Sequence, residues 1–283
     1  MTSQASADGV PPGEPTAGVQ GSIVTRGLTK RFGSFTAAAD LDLSVQPGEI
    51  FGLLGPNGAG KTTTIKMLIT LLPPSSGTAI VAGADIVRQP ALVRRRIGYV
   101  PQLVSSDGSL TARENLRLSA RLYHLPGSER EDAIAESLGF MGLSEVGDRL
   151  VRTYSGGMVR RLEIAQAMLH QPAVLVLDEP TVGLDPTARA TVWDRVARLR
   201  EDHRTTILLT THYMDEADEL CERIALLEAG RIRQTGRPDE LKAAVGPGAT
   251  LDDLFRALTG SGIEVGGTFR DIGRTRRTAQ RLG

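Results

Sequence analysis

The chain has 283 residues, room for roughly two packing units at about 150 residues each and enough to bury an apolar core. Hydrophobic residues make up 40% and charged residues 23%, which excludes a wholly disordered or collagen-like chain. Thirty-three basic and thirty-three acidic side chains cancel, so general coating of nucleic acid is disfavoured and no nucleic-acid partner is expected.

Residues 1–21 are rich in Gly, Pro, Ser and Ala and are expected to be disordered. They carry neither a basic n-region nor an apolar h-region, so they do not read as a signal peptide. Short strands are expected over 21–33 and 40–45, then a turn at 46–49. The wholly apolar strand 50–54 runs straight into a Gly-rich loop. A helix is predicted over 61–72, stopped by Pro73-Pro74-Ser75-Ser76-Gly77, and a strand over 78–82. Helical spacing then dominates from about 110 to 170: Leu116, Leu118, Leu122 and Leu125 suit one helix, 134–141 a second and 158–169 a third. Beyond it, strand 173–177, helix 187–200, strand 206–209, helix 214–220 and strand 224–227 alternate. Glu228-Ala229-Gly230 reads as a hairpin turn into 231–234. Such alternation implies a parallel sheet with helices on both faces. A short helix over 251–258 precedes a Gly/Arg-rich tail expected to be mobile, with 270–281 a solvated basic run. No apolar run reaches the ~18 residues of a membrane span. Cys221 is the single cysteine; it fits a reducing compartment and reads as a small buried side chain. His124, His170 and His203 have no metal-ligand spacing and read as surface or element-end residues, and Trp193 as a helix-to-sheet packing residue.

Three motifs carry chemistry. Gly55-Pro56-Asn57-Gly58-Ala59-Gly60-Lys61-Thr62 matches G-x-x-x-x-G-K-[ST] between a strand and a helix. Glycines let the backbone N–H groups converge on an anion at a helix N-terminus, Lys61 brings a compact charge to the β- and γ-phosphates, and the Thr62 hydroxyl suits Mg²⁺. Far downstream, the apolar run 174–177 ends in Asp178-Glu179. One carboxylate is placed for Mg²⁺, and the second suggests hydrolysis, since an attacking water needs a group to orient it. Between them, Tyr154-Ser155-Gly156-Gly157-Met158 opens a helix; alone it is an N-cap with permissive glycines, or a second anion site.

Together these motifs resemble the ATP-binding subunit of an ABC transporter, in family order and over about 22–236. Gly55–Thr62, with Thr63 after it, resembles the Walker A loop, 174–178 the Walker B strand, and Glu179 stands in the catalytic-glutamate position. Tyr154–Met158 resembles the LSGGQ signature, Gln102 the Q-loop glutamine, Asp185 the D-loop aspartate and His212 the switch histidine. Phe32 stands where the family places an adenine-stacking aromatic, with Phe for the commoner Tyr. The YSGGM signature, 210–218 and 251–260 resemble exporters of the daunorubicin-resistance type; Val159 departs from the Arg that relatives often carry there.

The resemblance implies an α/β fold: a RecA-like P-loop NTPase core with an antiparallel β subdomain and an inserted α-helical subdomain. It implies an ATPase domain over 22–247, its helical part at about 103–168, and a C-terminal extension over 248–283. ATP and Mg²⁺ are the implied cofactors, with Thr62, Gln102 and Asp178 serving the metal. Glu179, His212, Gln102 and Lys61 are the implied catalytic set. Two copies would stack head to tail, each ATP lying between one phosphate loop and the partner's Ser155–Gly157, on the cytoplasmic face of the membrane beside an integral-membrane permease. The activity implied is ATP-driven efflux of a drug- or antibiotic-like substrate. The alternatives are a lipid, polysaccharide or solute-import ATPase of the same family, or a soluble one acting on ribosomes or DNA; the latter usually carries two ATPase units or large insertions, absent here. A P-loop small-molecule kinase would need neither signature nor switch histidine.

Overall fold

The computed structural model describes residues 23–259; the expectations for 1–21 and for the basic tail lie outside the described residues. The chain opens on a long hairpin, β1 (Ile23–Phe32) and β2 (Phe35–Val45), in which Phe32 and Phe35 are register partners across the turn. Strand pairing continues through most of the expected break between 33 and 40: Phe35, Thr36 and Ala38 pair with β1, and a register shift at Asp40, φ 52°, keeps Ala38 in one core with Leu41, Leu43 and Val45. After β3 (Ile50–Leu54) and α1 (Lys61–Leu68), β4 (Ser76–Val81) and the short β5 (Ala84–Asp85) complete a four-stranded antiparallel sheet of order β2-β1-β4-β5. Helix α1 stops a turn before the predicted 72. Thr70 adopts φ 65°, and the Leu71 and Leu72 N–H groups both fold back onto Lys66 O ahead of the two prolines.

The second sheet has the order β10-β9-β3-β8-β7-β6. It adds β6 (Ile97–Val100), β7 (Val174–Asp178), β8 (Thr206–Thr211), β9 (Arg223–Glu228) and β10 (Arg231–Gly236), with every pairing parallel except β9–β10. Its strands alternate by parity. Phe51, Leu53, Val174, Val176 and Leu208 point into one core with the antiparallel sheet and α1, while Leu54, Leu175, Leu177, Ile207 and Leu209 point into the other. Strands buried on both faces carry no polar alternation, which is why 50–54 and 173–177 are so plainly legible. One face is covered largely by an antiparallel sheet rather than by helices alone.

The other core takes in α3 (Ala112–Leu122), α4 (Gly127–Phe140), α5 (Gly156–Met168), α6 (Pro186–His203), α7 (Met214–Leu220) and α9 (Leu251–Thr259). Helices α2 (Pro90–Arg96) and α8 (Pro238–Val245), together with β6, were not anticipated as elements. The apolar face expected for α3 is also corrected. Ala112, Leu116 and Ala120 are buried, whereas Leu118 is 49% and Leu122 69% exposed. The spacing 116/118 does not fit a 3.6-residue period, whereas 112/116/120 does. Helix α3 begins at a capping box in which Thr111 and Glu114 satisfy each other's backbone N–H.

Candidate functional site

The site forms where β3, β7 and β8 end side by side. Strand β8 lies between the phosphate-loop strand and the acidic strand, so Asp178-Glu179 reaches the loop across Thr210-Thr211-His212. Gly60 caps α1 at φ 107°, and a side chain there would run into Ala37 O, so the loop's last turn demands glycine. Lys61 is buried and folded back, its Nζ donating to Gly55 O at 2.6 Å and Pro56 O at 3.2 Å.

Nζ also stands 3.1 Å from Glu179 Oε1, with both side chains almost fully buried. The same carboxylate accepts from Gln102 Nε2 at 2.9 Å, and His212 Nδ1 lies 3.3 Å from Oε1 without hydrogen-bond alignment. Burial opposes ionisation of Glu179, but contact with His212 and the Lys61 charge outweigh it and hold the carboxyl below its usual range. Its neighbour moves the other way: burial pushes Asp178 up, partly offset by the Thr210 hydroxyl, which donates to Asp178 Oδ1 at 2.7 Å. Glu179 itself adopts φ 50°, held there by its N–H, which the Thr210 carbonyl and hydroxyl oxygens both accept at 3.1 Å. A left-handed glutamate at such a position costs about 1–3 kcal/mol and stands because its surroundings over-determine it.

A cavity of about 370 Å³ beside the loop is lined by Pro56, Asn57, Gly58, Gly60, Lys61, Thr62 and Thr63, together with Gln102 and Glu179. The aromatic on its wall is Phe35; its register partner Phe32 is 49% exposed nearby, with Lys30 Nζ 5.2 Å from its ring centroid. Phe35 was not anticipated, since the hairpin that brings it there was read as a gap.

The signature residues are elsewhere. Ser155 caps α5 by accepting from the Met158 N–H at 3.3 Å, and a second cavity of about 220 Å³ is lined by Ser155, Gly157, Met158 and Asp185. It shares no residue with the first. Asp185 caps α6 by accepting from the Ala188 N–H at 2.9 Å. Tyr154 turns inward, its hydroxyl donating to Val146 O at 2.7 Å, and burial raises its phenol. Further along α5, buried Arg160 donates to Pro101 O at 2.7 Å and Gln102 O at 3.1 Å, backed by Glu163 Oε2 at 3.1 Å. This pair was also missed: two charges within a helical run look solvated until the fold covers them. A larger cavity of about 500 Å³, between α4, α5 and the start of β8, contains none of the motif residues. The three other histidines serve no cluster; His170 stacks on Tyr123 at 3.6 Å and reaches Ile97 O at 3.0 Å.

The family model for ABC transporters matches residues 38–182. The chain is 48% identical over 225 residues to the daunorubicin/doxorubicin resistance ATP-binding protein DrrA of Streptomyces peucetius, covering 80% of this chain and 68% of that one. Against the Nod factor export ATP-binding protein I of Cupriavidus metallidurans it is 44% identical over 216 residues, covering 76% and 71%. Among solved structures, an ATP-binding subunit of an ABC transporter superposes with a TM-score of 0.74 at 32% identity, covering 84% of this chain and 99% of that one. The cassette MJ0796, in a dimeric post-hydrolysis state with ADP and Pi, superposes at 0.68 and 25% identity over 76% and 98%. A family model over just over half of the chain, with relatives at 48% identity, shows that the chain belongs to the ABC transporter family and is an ATP-binding, ATP-hydrolysing member of it.

Proposed function

We propose that this chain is the energising subunit of an ABC exporter, working as a pair of identical copies on the cytoplasmic face of a membrane beside a separate permease chain. The observation that carries the reading is the split site: the phosphate loop, Gln102 and Glu179 line one cavity, while Ser155, Gly157 and Asp185 line another. One chain thus holds two half-sites. A second copy, stacked head to tail, brings the Ser155 helix terminus onto the γ-phosphate bound by the first. ATP then bridges the copies, so binding closes the pair and hydrolysis opens it.

In this reading Phe32, and Phe35 beside it, hold the adenine, and the amides of Gly58, Ala59, Gly60, Thr62 and Thr63 gather the phosphates with Lys61. Thr62, Gln102 and Asp178 would hold Mg²⁺. The donors fit: all three offer oxygen, Asp178 and Thr62 are in hydrogen-bond reach of each other, and few protein ligands are needed where phosphates and water complete the shell. The metal, when bound, neutralises charge on the phosphates. Glu179 orients the water and His212 contacts the γ-phosphate. Residues 22–247 form the ATPase domain, with 103–168 as its helical part.

No helix among the described residues is long and apolar enough to cross a membrane. Leu103 is 80% and Val104 66% exposed directly after Gln102, which supports a permease contact coupled to that loop. Efflux of a drug- or antibiotic-like substrate rests on the resistance and export proteins among the relatives. The test is affinity capture of the Glu179→Gln protein from detergent-solubilised native membranes with ATP·Mg²⁺. A polytopic membrane chain should co-purify; ribosomal or DNA-bound proteins alone would overturn the transport reading.

A further inference from the structure

A guanidinium lies over the ring of the residue that follows His212. Arg189 lies one turn into α6, its N–H donating to Asp185 O at 2.9 Å. Its Cζ is 4.4 Å from the Tyr213 ring centroid and 6.0 Å from that of Trp193. Nη1 pairs with Asp215 Oδ2 at 3.1 Å, while Nε is buried with no hydrogen-bond partner among the described residues. A guanidinium whose Cζ lies this near a ring centroid is attracted by the ring as well as by its carboxylate partner.

Tyr213 passes that contact on. Its ring centroid is 4.3 Å from that of His212, whose Nδ1 lies 3.3 Å from Glu179 Oε1. The Tyr213 N–H donates to Thr211 Oγ1 at 2.9 Å, which sets the turn leaving β8. Behind the stack, Thr181 Oγ1 and Trp193 Nε1 donate to Oε1 of the buried Glu216 at 2.7 and 2.9 Å. The segment after Glu179, helix α6 and helix α7 are therefore tied together around the Arg189–Tyr213–His212 stack.

We infer that Arg189 is a positioning residue for His212, acting through the Tyr213 ring. A histidine at a strand end, flanked by a turn, has several rotamers within reach; the Tyr213 ring backed by Arg189 leaves it one face to occupy. Arg189 and Asp185 share a helical turn, so the direction of His212 is also tied to the turn that lines the signature cavity. The inference rests on the reading of His212 as the group that meets the γ-phosphate.

The test is steady-state ATP hydrolysis by the purified full chain over a range of ATP·Mg²⁺, with melting temperatures as a folding control. Arg189→Ala should lower kcat about tenfold with KM for ATP little changed, because the phosphate loop is untouched. Tyr213→Phe should keep the wild-type rate, since the ring and not the hydroxyl makes the contacts; Tyr213→Ala should fall as far as Arg189→Ala. The double variant Arg189→Ala/Tyr213→Ala should lose no more than Tyr213→Ala alone. Arg189→Lys keeps the charge beside Asp215 without the flat face, and a lowered kcat is expected there also, which decides the matter should Arg189→Ala fail to fold. Wild-type kcat in the Arg189 variants, or losses that multiply in the double variant, would overturn the inference. His212→Ala is run alongside: a wild-type rate there would sink the reading of the site itself, whereas a large loss there with none at Arg189 sinks only this inference.

Discussion

Lys61 and Glu179 are opposite charges held 3.1 Å apart with almost no water access. In the proposed mechanism Lys61 turns to the phosphates and Glu179 to the attacking water, so ATP exchanges an internal ion pair for two substrate contacts. Glu179→Gln preserves the shape and the Lys61 reach while removing the base. It should retain nucleotide binding, measured by fluorescent-nucleotide titration, and lower turnover by about 10²–10⁴-fold, measured by phosphate release; hydrolysis at the wild-type rate would remove Glu179 from the mechanism. Lys61→Ala should weaken nucleotide binding itself by at least about tenfold, or 1.4 kcal/mol, and unchanged affinity in the same titration would argue against the phosphate-loop role. The pH dependence has a definite sign. With its folded-state value depressed, Glu179 contributes stability that is complete above the unfolded value of about 4.3 and is lost as pH falls through the lower folded value. Wild type should therefore lose its thermal advantage over Glu179→Gln only on acidification below about pH 4, which melting curves across that range would check.

At the scale of elements, the seam between β6 and α5 decides where Gln102 stands. Gly98 lies so close to α5 that an added Cβ would run into the Ala167 carbonyl oxygen. Gly98→Ala should force strand and helix apart and destabilise the fold by about 1–3 kcal/mol, read from the denaturation midpoint; an unchanged midpoint would mean that the seam yields freely. The same helix holds the loop after β6 by Arg160, whose two hydrogen bonds to the Pro101 and Gln102 carbonyls are made deep in the protein. Burial lowers the Arg160 guanidinium from its ordinary range, opposed by Glu163. Replacing one member of a buried pair leaves the other uncompensated, at about 3–5 kcal/mol. These contacts fix the loop to α5, the helix whose N-terminus carries Ser155.

For the whole molecule, the proposed head-to-tail pair makes nucleotide binding and association one equilibrium. The Glu179→Gln chain should sediment as a dimer with ATP·Mg²⁺ and as a monomer without it. Adding Ser155→Arg, which fills the signature cavity with a long cation, should abolish the shift while leaving nucleotide binding to the phosphate loop in place. A Glu179→Gln/Ser155→Arg protein that still dimerises with ATP would rule out the head-to-tail arrangement. In the proposed assembly, the exposed Leu103 and Val104 adjoin the loop that α5 holds, which joins the surface offered to the permease to the helix that carries Ser155.

What the amino-acid order determined by itself is the family's motifs and the central strands. A phosphate loop requires spaced glycines and a lysine within one short stretch, and Ile50–Leu54 and Val174–Asp178 are buried on both faces, so their signals are local. Helix α7 was legible to the residue for a similar reason, an apolar face between a polar turn and a strand. What only the tertiary structure decided depends on partners distant in sequence. The continuous hairpin that places Phe35, the true buried face of α3, the Arg160 clamp on Pro101 and Gln102, and the Arg189 stack on Tyr213 all join residues from separate elements. No local pattern encodes such pairs, because the burial that makes a charge or a ring decisive exists only once the sheets and helices have closed around it.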